Sequence, residues 1–211
     1  KSFFVTFEGI EGCGKSYQSK KLFNNLKRKK ISSILTREPG GTRAGEKIRE
    51  VILKDYFHPK SKEQFNRYTD TLLYLAARNE HIINKVKPAL DKKKIVICDR
   101  FTDSTLAYQV HGKGVDKKFV DSLHKYILGN IKPNLTFILK ININKAMSRL
   151  KKRKTKNRYD NFSKSFYDKA QKAFIKIAKN KKNYFVLDSS KNDNLLQEKI
   201  FKITSKYLNI K

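Results

Sequence analysis

The chain has 211 residues and a formal net charge of +30, because 49 lysines and arginines outnumber 19 aspartates and glutamates. Its content of 38% hydrophobic and 11% aromatic residues is enough to form a core, which excludes the class of intrinsically disordered proteins. No apolar run approaches the roughly 20 residues of a membrane-spanning helix, and the first residues lack a signal-peptide pattern, so we expect a cytoplasmic protein without a membrane partner.

Five short apolar runs predict buried β-strands. They lie at residues 3–7, 33–36, 95–98, 135–139 and 184–187. Continuous apolar runs are typical of parallel strands that are covered on both faces. Helical patterns lie between and after these runs, at residues 16–29, 69–87, 162–178 and 194–207. Strands that alternate with helices predict an α/β fold with a parallel central sheet, in a single domain over 1–211.

The sequence GIEGCGKS at 9–16 matches the phosphate-binding loop motif G-x-x-x-x-G-K-[ST]. It lies between the first predicted strand and the first predicted helix, which is the context that the motif requires. Its glycines let backbone N–H groups curl around phosphate oxygens, and the helix N-terminus adds a field that favours anions. Lys15 is expected to reach the β- and γ-phosphates of ATP, and the Ser16 hydroxyl is expected to hold Mg²⁺. The predicted ATP contacts are Gly9, Ile10, Glu11, Gly12, Cys13, Gly14, Lys15, Ser16 and Tyr17.

A second group of polar residues follows the second and third predicted strands. Arg37 comes directly after the second strand, and Asp99 and Arg100 come directly after the third. Ligands of open α/β sheets bind at the carboxyl ends of the strands. We therefore expect Arg37, Arg49 and Arg100 to clamp the phosphate of an acceptor molecule. Asp99 is expected to hold the water shell of Mg²⁺ or to orient the acceptor.

Two pairs of residues spaced four apart predict a site for a planar base. Tyr74 and Arg78 share one helix face, where an aromatic ring beside a bidentate donor suits a base with a carbonyl group. Thr105 and Gln109 share another face, with Tyr108 beside them, and a glutamine amide can both donate and accept as a pyrimidine edge requires. Ordinary helix packing and solvent exposure are the competing interpretations of these residues.

Taken together, these segments resemble the thymidylate kinase family of the bacterial type. The resemblance covers nearly the whole chain and is most specific in EGIEGCGKS at 8–16, REPGGT at 37–42, and DR at 99–100 with STLAYQ at 104–109. It implies a P-loop NTPase fold like that of nucleoside monophosphate kinases, with a five-stranded parallel sheet flanked by helices and a short lid. It also implies transfer of the ATP γ-phosphoryl group to dTMP for dTTP biosynthesis, a requirement for Mg²⁺, and a homodimer.

The resemblance also implies roles for individual residues. Glu11 corresponds to the loop carboxylate that contacts the deoxyribose 3′-hydroxyl, and Tyr108 to the ring that disfavours ribonucleotides. Tyr74 corresponds to the ring that stacks on thymine, and Arg78 to the donor to a thymine carbonyl. The other positions that match dTMP contacts are Arg37, Arg49, Arg100, Thr105 and Gln109.

Members of the family differ in where the catalytic arginine lies, either in the phosphate loop or in the lid. Gly12 occupies the position at which one class carries that arginine, so this chain resembles the class in which the lid supplies it. The lid candidate spans about 149–160, and its basic centre predicts an exposed, mobile segment. Arg153 is the first candidate for the transition-state arginine, with Arg149 and Arg158 behind it. The predicted catalytic residues are Lys15, Asp99, Arg100 and Arg153, and the predicted metal ligands are Ser16 and Asp99.

Two other functions remain open from the residues alone. One is a P-loop kinase of dUMP, dCMP or a nucleoside, although the pair Arg49 and Arg100 disfavours a nucleoside, which has no phosphate to clamp. The other is an ATPase that binds nucleic acid, suggested by the charge of +30. The lysines are spread along the chain and no known nucleic-acid-binding module is recognisable, so compositional bias explains the charge better and we expect no nucleic-acid partner.

The cysteines and histidines predict no further site. Cys13 and Cys98 are too few for a disulfide framework, which fits a reducing compartment, and we expect Cys13 to be a small packing residue. The four histidines lack the spacing of metal ligands, so we expect no zinc-type site.

Overall fold

The computed structural model of the chain describes residues 2–54, 64–153, 159, 162–191 and 193–210. Within them, five strands form one parallel sheet in the order β2–β3–β1–β4–β5. The strands are β1 (Phe3–Glu8), β2 (Ser33–Arg37), β3 (Ile95–Asp99), β4 (Leu135–Lys140) and β5 (Tyr184–Asp188). The predicted strands are confirmed, and each continues one residue beyond its predicted end.

Helices flank the sheet. In the described ranges they are α1 (Lys15–Arg28), α2 (Arg43–Leu53), α3 (Arg67–His81), α4 (Lys87–Asp91), α5 (Thr102–Thr105), α6 (Lys117–Leu128), α7 (Ile143–Lys151), α8 (Lys164–Ala178) and α9 (Asn194–Leu208). Two π-helical segments, Ile82–Val86 and Leu106–Gly112, follow α3 and α5. None of the helices in the described part of the chain is long and apolar enough to cross a membrane.

The core lies on both faces of the central strand β1. Phe7 packs in one cluster with Leu22 of α1 and Phe174 of α8. Phe4 packs in a different cluster with Val86, which lies in the π-helical segment after α3. Successive side chains of a strand point to opposite faces, so β1 is covered on both sides. This two-sided burial is the reason that its sequence is mostly apolar and does not alternate between apolar and polar residues.

The helices differ from the prediction in two respects. The pattern at 69–87 predicts one continuous helix, whereas the structure has α3, a π-helical turn and α4. The wide turn ends at Val86, two residues before Pro88, which has no N–H to donate and whose ring crowds the preceding turn. Helices α2 and α6 are absent from the prediction, although the side chains of Thr42 and Asp116 cap their N-termini. Most of the basic centre of the proposed lid, 154–158, lies outside the described residues.

Candidate active site

The phosphate loop lies between the carboxyl end of β1 and the first turn of α1. Gly14 caps α1 with a φ of 95°, a left-handed conformation that favours glycine. A Cβ on Gly9 would lie 2.6 Å from the carbonyl oxygen of Leu139, so this position also requires glycine. The first turn of α1 carries no acidic side chain, so nothing there offsets the positive end of the helix. The local backbone is therefore suited to hold a phosphate group.

Lys15 is buried and its side chain folds over the phosphate loop. Its Nζ donates to the carbonyl oxygen of Ile10 at 2.8 Å and to the Sγ of Cys13 at 3.6 Å. Cys13 is itself fully buried, and burial raises the pKa of its thiol. The thiol is thus a packing group and a poor nucleophile, while the ammonium group lies at the rim of the loop.

Ser16 and Asp99 meet where β3 ends beside α1. The Ser16 hydroxyl donates to Oδ2 of Asp99. The other carboxylate oxygen, Oδ1, is buried and has no hydrogen-bond partner among the described residues. A hydroxyl and a carboxylate with an unsatisfied oxygen are hard oxygen ligands of the kind that Mg²⁺ prefers. The residues present therefore fit a magnesium site.

Arg100 connects the phosphate loop to the segment after β3. Its guanidinium donates to the carbonyl oxygen of Gly9 at 3.0 Å, to Ser104 Oγ at 3.0 Å and to Glu11 Oε1 at 2.7 Å. Burial alone would lower the pKa of Arg100, but the carboxylates of Glu11 and Asp99 raise it well above its usual value. The other oxygen of Glu11 accepts from the Tyr108 hydroxyl. Arg100, Glu11 and Tyr108 thus form one charged cluster at the mouth of the loop.

Glu8 is connected to this cluster through Ser104, which contacts both Glu8 and Arg100. It is not among the site residues that the sequence predicts. It is fully buried and accepts from the Phe101 N–H at 2.8 Å and from the Ser104 hydroxyl at 2.6 Å. Burial and then the charge of Asp103 raise the pKa of Glu8 to about 7. An acidic residue at the end of a mostly apolar strand is the signal that could have revealed it.

The other two arginines that are predicted to bind the acceptor contact the loop between β2 and α2 and the first turn of α2. Arg49 Nη1 donates to the carbonyl oxygen of Pro39 at 2.8 Å. Arg37 Nη2 lies 2.9 Å from Oε2 of Glu46, whose Oε1 accepts from the Gly41 N–H at 2.8 Å. These contacts give both guanidinium groups a defined place near the carboxyl end of the sheet.

One cavity of about 360 Å³ joins the two predicted sites. Most of the predicted site residues line it: Glu11, Gly12, Gly14, Lys15, Ser16, Tyr17, Arg37, Arg49, Tyr74, Arg78, Asp99, Arg100, Thr105, Tyr108, Gln109 and Arg153. Three predicted ATP contacts, Gly9, Ile10 and Cys13, do not line it. Ile10 and Cys13 are completely buried, and Gly9 packs against Leu139, so these three residues support the loop from behind.

Aromatic rings form another part of the cavity wall. Tyr159 meets Tyr74 edge to face at a centroid distance of 6.1 Å, and it meets Tyr108 in the same way at 6.2 Å. Gln109 Nε2 lies 3.5 Å from Oδ2 of the fully buried Asp70. The Tyr159 hydroxyl donates to the same oxygen at 3.3 Å. Tyr159 is thus a further residue of the cavity wall, and Asp70, which does not line the cavity, contacts Gln109 and Tyr159 from behind. An acidic residue eight positions before Arg78 in the same helical pattern was the available sequence signal for Asp70.

Arg78 is anchored by a buried carboxylate at one end of its guanidinium. Its Nε lies 2.7 Å from Oε2 of Glu38, and Oε1 of Glu38 lies 3.0 Å from Nδ1 of His81. Burial raises the pKa of Glu38, but the charge of Arg78 and the hydrogen bond to His81 outweigh burial and lower it. The carboxylate therefore stays ionised beside the arginine.

The lid side of the cavity contributes two arginines. Arg149 on α7 donates to the carbonyl oxygens of Gly12 and Ser190, both at 3.0 Å. Arg153 lies just beyond the end of α7 and lines the cavity with Arg149. Arg158, the third candidate for the transition-state arginine, lies outside the described residues.

Comparisons with known proteins agree with this geometry. A family model described as Thymidylate kinase matches residues 7–200. A thymidylate kinase of Sulfurihydrogenibium sp. is 42% identical over 185 residues, which cover 88% of this chain and 87% of the relative. A thymidylate kinase of Wolbachia sp. subsp. Brugia malayi is 46% identical over 180 residues, which cover 84% of this chain and 82% of the relative.

A solved structure matches the fold as well. The crystal structure of thymidylate kinase from Ehrlichia chaffeensis matches this chain with a TM-score of 0.73 and 31% sequence identity. The match covers 97% of this chain and 98% of the chain in that crystal structure. The sheet order and the flanking helices are therefore those of a P-loop kinase of the nucleoside monophosphate kinase type. The chain belongs to the thymidylate kinase family.

Proposed function

We propose a role for each site residue in the reaction of this thymidylate kinase family member. The reaction transfers the γ-phosphoryl group of ATP to dTMP and supplies dTTP biosynthesis. The observation that carries the proposal is the single cavity that joins the phosphate loop to the acceptor-side arginines. ATP lies along the loop from Gly9 to Tyr17, with Lys15 at its β- and γ-phosphates. The chain acts as one kinase domain over 1–211, with a lid at about 149–160.

The acceptor dTMP occupies the other half of the cavity. Its phosphate lies between Arg49 and Arg100, with Arg37 at the outer edge, because these guanidinium groups offer bidentate donors to phosphate oxygens. The thymine ring stacks on Tyr74, which could contribute about 1–3 kcal/mol. Arg78 donates to a carbonyl of the base. The side chains of Thr105, Tyr108 and Gln109 face the rest of the nucleotide.

Mg²⁺ is the metal that fits Ser16 and Asp99, which would hold it directly or through water. When bound, it neutralises phosphate charge. Asp99 Oδ1 supports this assignment, since it is a buried oxygen without a partner among the described residues. Glu11 stays with Arg100 and Tyr108 at the acceptor side and contacts the deoxyribose.

Phosphoryl transfer requires positioning and charge stabilisation more than covalent chemistry. Lys15 and the N–H groups of the loop hold the transferring group, and Arg100 keeps the acceptor phosphate in line with it. Arg153 brings a positive charge to the equatorial oxygens, where negative charge is spread in the transition state. Closure of the lid excludes water, which would otherwise accept the phosphoryl group.

An acceptor panel tests this proposal. We expect ADP release from MgATP with dTMP, and a kcat/KM for thymidine that is lower by about 10²-fold or more, because each lost hydrogen bond to a charged arginine is worth about 1.5–3 kcal/mol. Turnover with dCMP is also expected to be lower, since its amino group faces a donor of Arg78 where dTMP presents a carbonyl. Equal turnover of thymidine and dTMP would contradict the assignment of the arginines, and preference for another monophosphate would contradict the base contacts.

We also propose that the protein is a cytoplasmic homodimer. The two buried cysteines are unpaired, which fits a reducing compartment. On α3 and the π-helical segment after it, Leu72 is 48% exposed and Ile83 is 54% exposed, and Ala76 lies exposed between them. These spacings place the three side chains on one face. An exposed apolar stripe of this kind is typical of a contact between subunits.

Leu72→Glu is expected to convert the dimer to monomers, because it places a charge within an apolar contact. Light scattering during size-exclusion chromatography measures the mass directly. Leu195→Glu on α9 is the matched control, since Leu195 is 72% exposed but lies outside the stripe, and this variant is expected to stay dimeric. A monomeric wild-type protein, or a dimer that survives Leu72→Glu, would overturn the proposed interface.

A further inference from the structure

His124 on α6 makes a direct hydrogen bond to Arg78. It is 7% exposed, and its Nε2 lies 2.7 Å from Nη1 of Arg78. An arginine guanidinium carries donors only, so Nε2 is the acceptor and the imidazole proton is on Nδ1. Burial and the charge of Arg78 lower the pKa of His124 to about 3, which keeps the ring neutral at any pH suitable for assay.

The hydrogen bonds of Arg78 leave one donor for a ligand. Nε donates to Glu38 at 2.7 Å, and Nη1 donates both to Thr105 Oγ1 at 2.9 Å and to His124. Nη2 donates to the carbonyl oxygen of Phe101 at 2.9 Å. A guanidinium has five N–H groups, and these contacts use four of them. The fifth N–H is on Nη2. Because the guanidinium is planar, the direction of this N–H is set by the acceptors that bind the other four N–H groups.

His124 differs from the other partners of Arg78 in its position. Glu38, Thr105 and Phe101 all line the cavity together with Arg78. His124 is not among the lining residues of the described part of the chain and contacts the guanidinium from α6. A change at His124 therefore acts on a bound nucleotide indirectly, and its hydrogen bond to Arg78 is the shortest route.

We infer that His124 is a positioning residue for recognition of the acceptor base: its neutral imidazole fixes the guanidinium plane of Arg78, and so aims the remaining Nη2 donor into the cavity. This inference rests on the proposed contact between Arg78 and the base. Without an acceptor at position 124, one Nη1 donor is left buried and unsatisfied. The guanidinium then rotates toward another acceptor, and the Nη2 donor is misaligned for the acceptor nucleotide but not for ATP.

Three variants of α6 test the inference. His124→Leu removes the acceptor and keeps an apolar side chain of similar bulk, and it is expected to raise the KM for dTMP about tenfold with the KM for ATP unchanged. His124→Gln places Oε1 near the position of Nε2 and is expected to restore the KM for dTMP to within about twofold of wild type. Val120→Ala is the structural control, since Val120 is fully buried one turn earlier on α6 and has no polar side-chain atom that could accept a hydrogen bond from Arg78.

The KM values for dTMP and ATP are measured for the three variants, and thermal unfolding checks that each variant is folded. A tenfold rise in the KM for dTMP in His124→Leu alone, with rescue in His124→Gln, supports the inference. An unchanged KM in His124→Leu, no rescue by glutamine, or an equal rise in Val120→Ala would overturn it. Arg78→Ala separates this result from the proposed function: if Arg78→Ala leaves the KM for dTMP unchanged, the base contact itself is wrong. If Arg78→Ala raises that KM but His124→Leu does not, only the role of His124 is wrong.

Discussion

Replacing Arg153 by alanine is expected to lower kcat for dTMP phosphorylation by about 10³-fold or more, which is the lower end of the effect of a transition-state arginine in phosphoryl transfer. The KM for dTMP is expected to stay within about threefold of wild type, because the charge stabilises the transition state more than the bound substrates. Initial rates of ADP release at saturating ATP and dTMP measure kcat directly.

The choice of Arg153 follows from how the other two positions are packed. Gly12 has a φ of 75°, and a Cβ there would lie 2.8 Å from the carbonyl oxygen of Ala146 on α7. An arginine at position 12 would therefore displace the backbone of α7. Arg149 already holds the carbonyl oxygens of Gly12 and Ser190, which ties the phosphate loop to the residues after β5. Arg153, four residues later, lies beyond the end of α7 within the proposed lid and lines the cavity.

Two further variants make this prediction specific. Lys152→Ala removes an equally exposed cation next to Arg153 that does not line the cavity, so it is expected to change kcat by less than about twofold. Arg153→Lys keeps the charge but loses the planar fork, so we expect only partial activity. A nearly normal kcat in Arg153→Ala, together with a large loss in Arg149→Ala, would transfer the role to Arg149.

The sheet could be predicted from sequence because its signal is local. Each strand is an apolar run, and β1 is buried on both faces by helices that come later in the chain. Helix α2 gave a weaker signal, because much of its stability comes from packing against α3, which single-sequence periodicity does not report. The π-helical turn before Pro88 was also beyond prediction, since an apolar helical pattern does not show where the hydrogen bonds span five residues instead of four.

The candidate site divides in the same way. The positions in the phosphate loop and at the ends of β2 and β3 could be predicted, because parallel strands bring their carboxyl ends to one edge. The residues that hold those side chains could not. Glu8 contacts Phe101 across 93 residues, and Arg78 contacts His124 across 46 residues. These contacts join residues that are far apart in the sequence, so they depend on the tertiary fold. The local sequence around a buried acceptor does not indicate which residue donates to it.

Lys15→Met is expected to lower kcat by about 10³-fold, the upper end of the cost of losing one preorganised donor at a reacting group. Methionine has nearly the same length and can stay in the buried space beside Ile10, so the loop is expected to keep its shape. What is lost is the ammonium group, which now donates to the Ile10 carbonyl oxygen at 2.8 Å at the rim of the loop. With ATP bound, the ammonium group is expected to contact the β- and γ-phosphates, and methionine can replace neither its charge nor its donors.

Lys20→Met on the exposed face of α1 is the matched control, because it removes the same charge from the same helix. The chain carries a net charge of +30, so a general attraction for nucleotides would be reduced almost equally by either variant. We expect Lys20→Met to retain kcat within about twofold and to show only a small, salt-dependent change in the KM for ATP. If both variants lose activity to the same extent, the overall positive field and not the phosphate loop is responsible. A large loss of kcat in Lys15→Met alone places the catalytic charge in the phosphate loop. The exposed lysines elsewhere would then have no specific role in catalysis.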